Sequence, residues 1–273
     1  MYTLNCKGKL LPLDKPWVMG IINTTPDSFY EGSRNQDVAM VLAQAKKMLR
    51  EGATILDIGG QSTRPGAKMI GPVDEIDRVV PAIEAIHNQH PEAIISIDTF
   101  DAAVAKAAVD AGASIVNDVS GGWMDPQMLA TVAALKVPYV CMHMKGTPTN
   151  MQQHAVYEDV TKEVLDYFIE RIDTCRRAGI HDVIIDPGFG FSKTIGHNFT
   201  LLKNLSLFKI LEKPILLGIS RKATIYKTLG ITAAEALNGT TVLNTIGLMN
   251  GADILRVHDV KEAVEAVELV GSI

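Results

Sequence analysis

Eight short aliphatic runs recur along this chain, and each one ends in a polar or charged residue that a soluble strand does not need. The run at 18–22 ends at Asn23, and that at 55–56 leads into Asp57. The run at 94–97 ends at Asp98, that at 115–116 at Asn117 and Asp118, and that at 139–142 at His143. The run at 183–185 ends at Asp186. The run at 215–217 passes Gly218 to reach Ser220, Arg221 and Lys222, and that at 254–255 ends at Arg256 and His258. Strands buried on both faces read as unbroken Val/Ile/Leu stretches, the mark of a parallel sheet. A closed eight-stranded parallel barrel carries the C-terminal ends of all its strands to one rim, where barrel enzymes do their chemistry. The pattern therefore predicts fold and site together: an α/β chain folded as one (β/α)8 TIM barrel, a single domain over 1–273.

The segments between the runs support this. Residues 37–50 place apolar side chains at Val38, Val41, Leu42, Ala45, Met48 and Leu49, the spacing of an amphipathic helix. Comparable helices are expected over 73–87, 101–111, 125–135, 158–178, 198–205, 233–250 and 260–270. Gly52, Gly112, Gly179 and Gly251 stand where a helix closes before the next strand. Alternating strands and helices with short joints argue for a parallel sheet. A doubly wound open sheet is the alternative, weakened by the lack of a G-x-G-x-x-G after the first strand. Residues 1–16 fall outside the repeat and read as an N-terminal hairpin, turning at Gly8, that covers the bottom of the barrel.

Composition narrows the function. The net charge is −5 with no basic stripe, which argues against nucleic acid as a partner. The three cysteines, Cys6, Cys141 and Cys175, have neither metal spacing nor a disulfide pattern. The N-terminal residues lack the apolar core of a signal peptide, and no stretch approaches the ~20 apolar residues of a membrane span. A cytoplasmic protein with no membrane partner is expected.

Three groups of residues carry chemistry. Asp98, Asn117 and Asp186 end strands whose interiors call for apolar fillers, so acids there must be paired or meet a ligand. Together they suit a flat heterocycle rich in N–H donors, because a carboxylate accepts two parallel N–H bonds. Helix capping is the alternative for both Asp98 and Asp186, though the tight D-P-G-F-G turn points Asp186 in a definite direction. Arg256 and His258, at i and i+2, and Ser220 and Lys222 at the same spacing, form a split cationic site where many barrels bind phosphate. Ion pairing of Arg256 with Asp253 or Asp259 is the alternative, and Arg221, facing the other way, reads as a surface pair. The amide oxygen of Asn23 suits a hard cation such as Mg2+. The long loops 23–36 and 59–72 have the small and polar composition of functional lids. His143 ends a strand without an obvious carboxylate partner, and His154, His181 and His197 read as solvated. No Ser-His-Asp order or reactive cysteine is evident.

At these residues the chain resembles the dihydropteroate synthase family. The resemblance is carried along nearly the whole length by N-T-T-P-D-S-F (Asn23 to Phe29), D-I-G-G-Q-S-T-R-P-G (Asp57 to Gly66), S-I-D-T (Ser96 to Thr99), N-D-V-S-G (Asn117 to Gly121), D-P-G-F-G-F-S-K (Asp186 to Lys193), G-I-S-R-K (Gly218 to Lys222) and R-V-H-D (Arg256 to Asp259). It implies that 4-aminobenzoate displaces pyrophosphate from 6-hydroxymethyl-7,8-dihydropterin diphosphate, giving 7,8-dihydropteroate, through an SN1-like and Mg2+-assisted step. It implies that Asp98, Asn117, Asp186 and Lys222 hold the pterin, with Met142 and Phe191 against its ring. Asn23, Thr63, Arg64, Arg256 and His258 would serve the diphosphate and its metal. Phe29, Thr63, Pro65, Phe191, Ser220 and Lys222 would border the aminobenzoate pocket, which sulfonamides mimic. A homodimer through 233–250 is also implied. One departure stands out: the family commonly continues S-D-G-G after the Phe, and here the residues are Tyr30–Glu31–Gly32–Ser33. A pterin-binding methyltransferase domain shares such a barrel but lacks the diphosphate loops, and a non-catalytic pterin-binding paralogue is a third reading.

Overall fold

Each aliphatic run forms a strand, and each intervening segment forms a helix. The computed structural model describes residues 2–24, 34–61 and 69–273. The strands are β1 (Tyr2–Cys6), β2 (Lys9–Leu13), β3 (Trp17–Asn23), β4 (Ile55–Gly59), β5 (Ile94–Asp98), β6 (Ile115–Asp118), β7 (Tyr139–Met142), β8 (Val183–Asp186), β9 (Leu216–Leu217) and β10 (Ile254–Val257). The helices are α1 (Arg34–Arg50), α2 (Pro72–Gln89), α3 (Ala102–Ala111), α4 (Met128–Leu135), α5 (Val160–Ala178), α6 (Ile195–Lys203), α7 (Ala223–Leu229), α8 (Leu237–Met249) and α9 (Val260–Val270).

Strands β3 to β10 lie side by side in parallel, in the order β8-β7-β6-β5-β4-β3-β10-β9. The first and last strands of the repeat pair directly, Trp17 with Ile254. The remaining seam is joined where Ile185 bridges to Ile215 and its N–H donates to the Pro214 carbonyl at 2.9 Å. The sheet is thus a ring, and the doubly wound alternative falls.

Alternation along the strands separates two cores. Outward-facing side chains such as Val18, Ile22, Leu56, Ile97, Val116, Ile185, Leu217 and Leu255 pack with the helices in one large cluster. Inward-facing Met19, Ile55, Ile115, Val140, Ile184, Leu216 and Ile254 form a smaller cluster inside the ring. Leu4, Cys6, Leu13 and Trp17 belong to it, so the β1–β2 hairpin closes the lower bore. Burial there pushes the Cys6 thiol up to about 12. The hairpin turn uses left-handed backbone at both Lys7 (φ 53°) and Gly8 (φ 88°), whereas the sequence marked only the glycine. Among the described residues no helix is long and apolar enough to cross a membrane.

Gly52, Gly112, Gly179 and Gly251 all have positive φ, as their positions predict. At Gly112 a side chain is also excluded by space, since a Cβ would lie 2.7 Å from the His87 ring. The helix expected at 233–250 begins only at Leu237, because the Glu235 carboxylate accepts from the Thr232 N–H (2.9 Å) and hydroxyl (2.8 Å) and holds the preceding residues in a turn. Helix α7 was not expected. Helix α6 starts earlier than 198, at a capping box between Thr194 and His197.

Candidate active site

Two residues above the apolar layer, the same inward faces turn polar. Asn23 follows Met19 and Ile21, Asp57 follows Ile55, Asp98 follows Ser96, and Asn117 follows Ile115. Met142, Asp186, Gly218 and Arg256 follow Val140, Ile184, Leu216 and Ile254. Strand register places Asn23, Gly59, Asp98 and Asn117 in one row and Met142 beside Asp186. The bore is therefore closed by aliphatic packing below and lined by hydrogen-bonding groups above.

Arg256 organises this layer. Its Nε donates to Asp57 Oδ2 at 2.6 Å, and its Nη2 to Asp98 Oδ2 at 2.6 Å. Neither Asp253 nor Asp259 is its partner, so the local ion pair considered from sequence is absent. Asp253 instead accepts from the Ile215 N–H at 2.9 Å, and Asp259 takes two bonds from Arg221 at 2.8 and 2.9 Å. Arg221 is thus the paired residue that the sequence suggests, facing away from the bore. Nη1 of Arg256 makes no bond among the described residues. Burial pushes the Asp98 carboxyl up to about 7, helped by the neighbouring Asp57 charge and opposed by Arg256. Asp98 does not cap a helix, for Asp101 caps α3.

Asp57 is the functional residue that sequence reasoning missed. It is fully buried and also accepts from Asn117 Nδ2 at 3.0 Å. That bond fixes the Asn117 amide and leaves its oxygen as the free acceptor. Asp57 Oδ1 and Ser96 Oγ, on paired residues, are buried without a partner among the described residues. Unsatisfied polar atoms at this depth suit a polar ligand.

On the opposite wall, Asp186 Oδ1 accepts from the Gly188 N–H at 2.7 Å. Its Oδ2 and the Lys222 ammonium flank Gly218, lying 3.7 and 3.9 Å from where a Cβ would stand. Burial raises the Asp186 carboxyl against the pull of Lys222, and lowers Lys222 to about 8. The Lys222 ammonium donates to the Phe189 carbonyl and stands 4.7 Å from the centre of the Phe191 ring. Its stem crosses Gly190, where a Cβ would come within 3.1 Å. Met142 and Phe191 meet in a small apolar cluster with Val119, Met144 and Met151.

His258 keeps an exposed surface beside Arg256. Burial and Arg256 hold its imidazole down to about 4. The Ser220 hydroxyl accepts from the His258 backbone N–H at 3.2 Å and lies 3.0 Å from Nδ1. The hydroxyl pairs with Nδ1 in either tautomer of the ring and so fixes its orientation. Arg256 and Lys222 carry fixed charge at this rim, and His258 stands beside them, paired with Ser220. Phe29, Glu31, Thr63, Arg64 and Pro65 lie outside the described residues.

Asn23 fits a place beside a hard cation. Its Oδ1 and Asp98 Oδ2 both look into the space left by the missing side chain of Gly59, 3.8 and 3.7 Å from its would-be Cβ. No cluster of three His, Cys, Asp or Glu suited to a metal occurs among the described residues. Mg2+ does not need one, since it keeps waters and shares substrate phosphates.

A barrel bore lined by acids, an amide and buried cations beside a Met/Phe wall defines an enzyme that binds a flat, nitrogen-rich ring. The family described as pterin binding enzyme matches residues 19–258, and the chain belongs to it, within its dihydropteroate synthases. The chain is 43% identical over 269 residues to the dihydropteroate synthase of Escherichia coli (strain K12), covering 98% of this chain and 95% of that one. The dihydropteroate synthase of Xanthomonas albilineans with 4-aminobenzoic acid superposes with a TM-score of 0.92 at 40% identity, covering 99% and 97% of the two chains. The same enzyme in complex with 7,8-dihydropteroate gives a TM-score of 0.89 at 38% identity, covering 99% and 98%.

Proposed function

We propose that this chain is a transferase that joins 6-hydroxymethyl-7,8-dihydropterin diphosphate to 4-aminobenzoate, releasing pyrophosphate and 7,8-dihydropteroate. One observation carries the reading: Asn117, Asp186 and Arg256 project from the inward faces of one ring of strands, and Lys222, past the end of β9, joins Asp186 around Gly218. The relatives bound to 4-aminobenzoic acid and to 7,8-dihydropteroate support the choice of substrates.

The pterin ring enters between Met142 and Phe191. Its N–H edge meets Asp186 Oδ2 and the free oxygen of Asn117, and Lys222 donates to its acceptor atoms. The reacting carbon hangs on an electron-rich dihydropterin, so departure of diphosphate leaves a delocalised cation and no strong base is required. Arg256, through Nη1, and His258, through Nε2, face the leaving group with groups fixed in advance. Their fixed places come from Asp57, Asp98 and Ser220. Mg2+, held at Asn23 and Asp98, would supply charge to the departing diphosphate. Thr63 and Arg64 add to this end, and Phe29, Pro65 and Ser220 border the aminobenzoate. Aromatic amine attack then needs positioning and exclusion of water.

The protein works in the cytoplasm as a homodimer. On α8, Val242, Ile246 and Met249 are 48%, 38% and 66% exposed at i, i+4 and i+7, an apolar stripe suited to a second copy. The test is to mix the chain with the pterin diphosphate, 4-aminobenzoate and Mg2+. Equal amounts of pyrophosphate and dihydropteroate are expected. Pterin binding without pyrophosphate release would favour a methyltransferase domain or a non-catalytic paralogue instead.

A further inference from the structure

Among the described residues, Lys193 is the most deeply buried cationic side chain that the proposed reaction leaves without a task. It is 3% exposed and lies behind the ligand-facing wall of the bore. Its ammonium reaches three acceptors on two elements: His143 Nδ1 at 2.9 Å, the His143 carbonyl at 3.4 Å and the Phe191 carbonyl at 3.0 Å. His143 directly follows Met142 at the end of β7, and Phe191 tips the turn after β8. These are the two residues whose side chains form the apolar wall.

The surroundings show that this contact was built in. Gly188 packs against the same spot, with a would-be Cβ 2.0 Å from the His143 carbonyl and 3.3 Å from Lys193 Nζ. Ser192 adopts left-handed backbone, φ 47°, which turns Lys193 inward after Phe191. The fully buried Ser192 hydroxyl accepts from the Lys145 N–H at 2.9 Å and donates to the Phe191 carbonyl at 2.8 Å. The His143 ring is fixed edge-on to Tyr167, 4.8 Å between centres. Burial drives the Lys193 amine and the His143 imidazole both well below their usual ranges, the lysine's charge adding to the effect on the histidine. Burying a lysine costs desolvation, and here its bonds to His143 and Phe191 offset that cost.

We propose that Lys193 is a positioning residue for the pterin: it clips the end of β7 to the turn after β8, setting the gap between Met142 and Phe191 that receives the ring. The inference rests on the function proposed above. The ammonium of Lys193 is spent on His143 and the Phe191 carbonyl, so its loss weakens binding of the ring without removing a group from the reaction.

The test uses the full-length chain and steady-state kinetics at a temperature well below the melting point of every variant. Lys193→Met keeps the stem and removes the clip. It is expected to raise KM for the pterin diphosphate roughly ten-fold while kcat stays within about three-fold, the signature of lost ground-state binding. His143→Leu, which removes the ring acceptor, should raise the same KM, and His143→Asn, which offers an amide oxygen near the Nδ1 position, should restore it. The Lys193→Met/His143→Leu double variant should be no worse than the poorer single one, because both act on one contact. A folded Lys193→Met enzyme with parental KM overturns the proposal. So does a double variant whose effects multiply. If Lys193→Met does not fold, the His143 pair decides: equal KM values for Leu, Asn and parent overturn it. A parent enzyme that forms no dihydropteroate refutes the function instead and is recognised before any variant is compared.

Discussion

Replacing Asp57 by Asn tests how the buried charge triad sets the pH response of the enzyme. The substitution keeps the shape and an acceptor oxygen but removes one of the two charges that bracket Arg256. Two carboxylates bridged by one guanidinium stand roughly 7 Å apart, and at an effective dielectric of ~20 they repel by about 2 kcal/mol. Removing that repulsion favours ionised Asp98, and Arg256, no longer shared with a second charge, favours it further. The Asp98 carboxyl, pushed up to about 7 in the parent, should therefore fall by at least ~1 pH unit. Ionised Asp98 holds Arg256 and faces the place proposed for Mg2+, so activity of the parent should rise with pH through this range. The profile of kcat/KM against pH, measured from pyrophosphate release between pH 5.5 and 9, reports the free enzyme. Asp57→Asn should lower the plateau, since the Nε of Arg256 exchanges a charged acceptor for a weaker neutral one, yet move the acid limb down by about 1 unit or more. A melting curve must show the variant folded. An acid limb that stays in place, or moves upward, would refute the coupling between Asp57 and Asp98.

Three further outcomes are expected. Arg256→Ala should slow the chemical step roughly 10²–10³-fold, by loss of a fixed donor at the leaving group; turnover within about three-fold of the parent contradicts this. Gly218→Ala places a methyl in ordinary contact with Asp186 Oδ2 and Lys222 Nζ, at 3.7 and 3.9 Å. Stability should change by less than about 0.5 kcal/mol, whereas pterin affinity should fall clearly, and an unaltered titration would place the ring elsewhere. Leu4→Ala opens a gap in the lower bore, where Leu4 is 2% exposed. A loss of roughly 2–4 kcal/mol is expected, seen as a lower melting temperature with normal kcat at 20 °C; a reduced kcat with an unchanged melt would contradict the separation of plug and site.

Much of this was legible in the sequence, and the limits have physical causes. All eight barrel strands announce themselves, because a strand buried on both faces has to be aliphatic throughout. Even β9, only Leu216–Leu217 as a ladder, was marked by its run. Helix α7 was missed because seven residues give barely two turns of periodicity. The inward direction of Asp98, Asn117, Asp186 and Arg256 followed from alternation. Their partners did not. Arg256 meets Asp57 across 199 positions of chain, Asn117 meets Asp57 across 60, and Lys193 meets His143 across 50. Periodicity reports which face a side chain takes, whereas a closed ring decides who stands opposite. Neighbours in sequence, Asp253 and Asp259, were the natural guesses for Arg256, and both are engaged elsewhere.

The triad also bears on the part proposed for Mg2+. Three carboxylates, Asp57, Asp98 and Asp186, share the upper bore with two cations, Arg256 and Lys222. An unpaired guanidinium at this depth would carry a heavy desolvation cost, and its pairing removes most of the positive field an arriving diphosphate could feel. Ionising Asp98 fixes Arg256 more firmly but makes the bore more negative, so better orientation comes with weaker attraction. Asn23 and Asp98 would hold a divalent cation bound with the diphosphate, and its charge would keep Asp98 ionised and offset it at once. Binding of the pterin diphosphate should therefore weaken strongly, by roughly ten-fold or more, when Mg2+ is replaced by EDTA. Binding of the corresponding pterin alcohol, which presents only the ring to Asp186 and Asn117, should barely change. Calorimetric titrations of the two ligands with and without the ion measure this directly. Equal metal dependence for both would mean that the cation acts on the ring pocket, and the charge argument would fail.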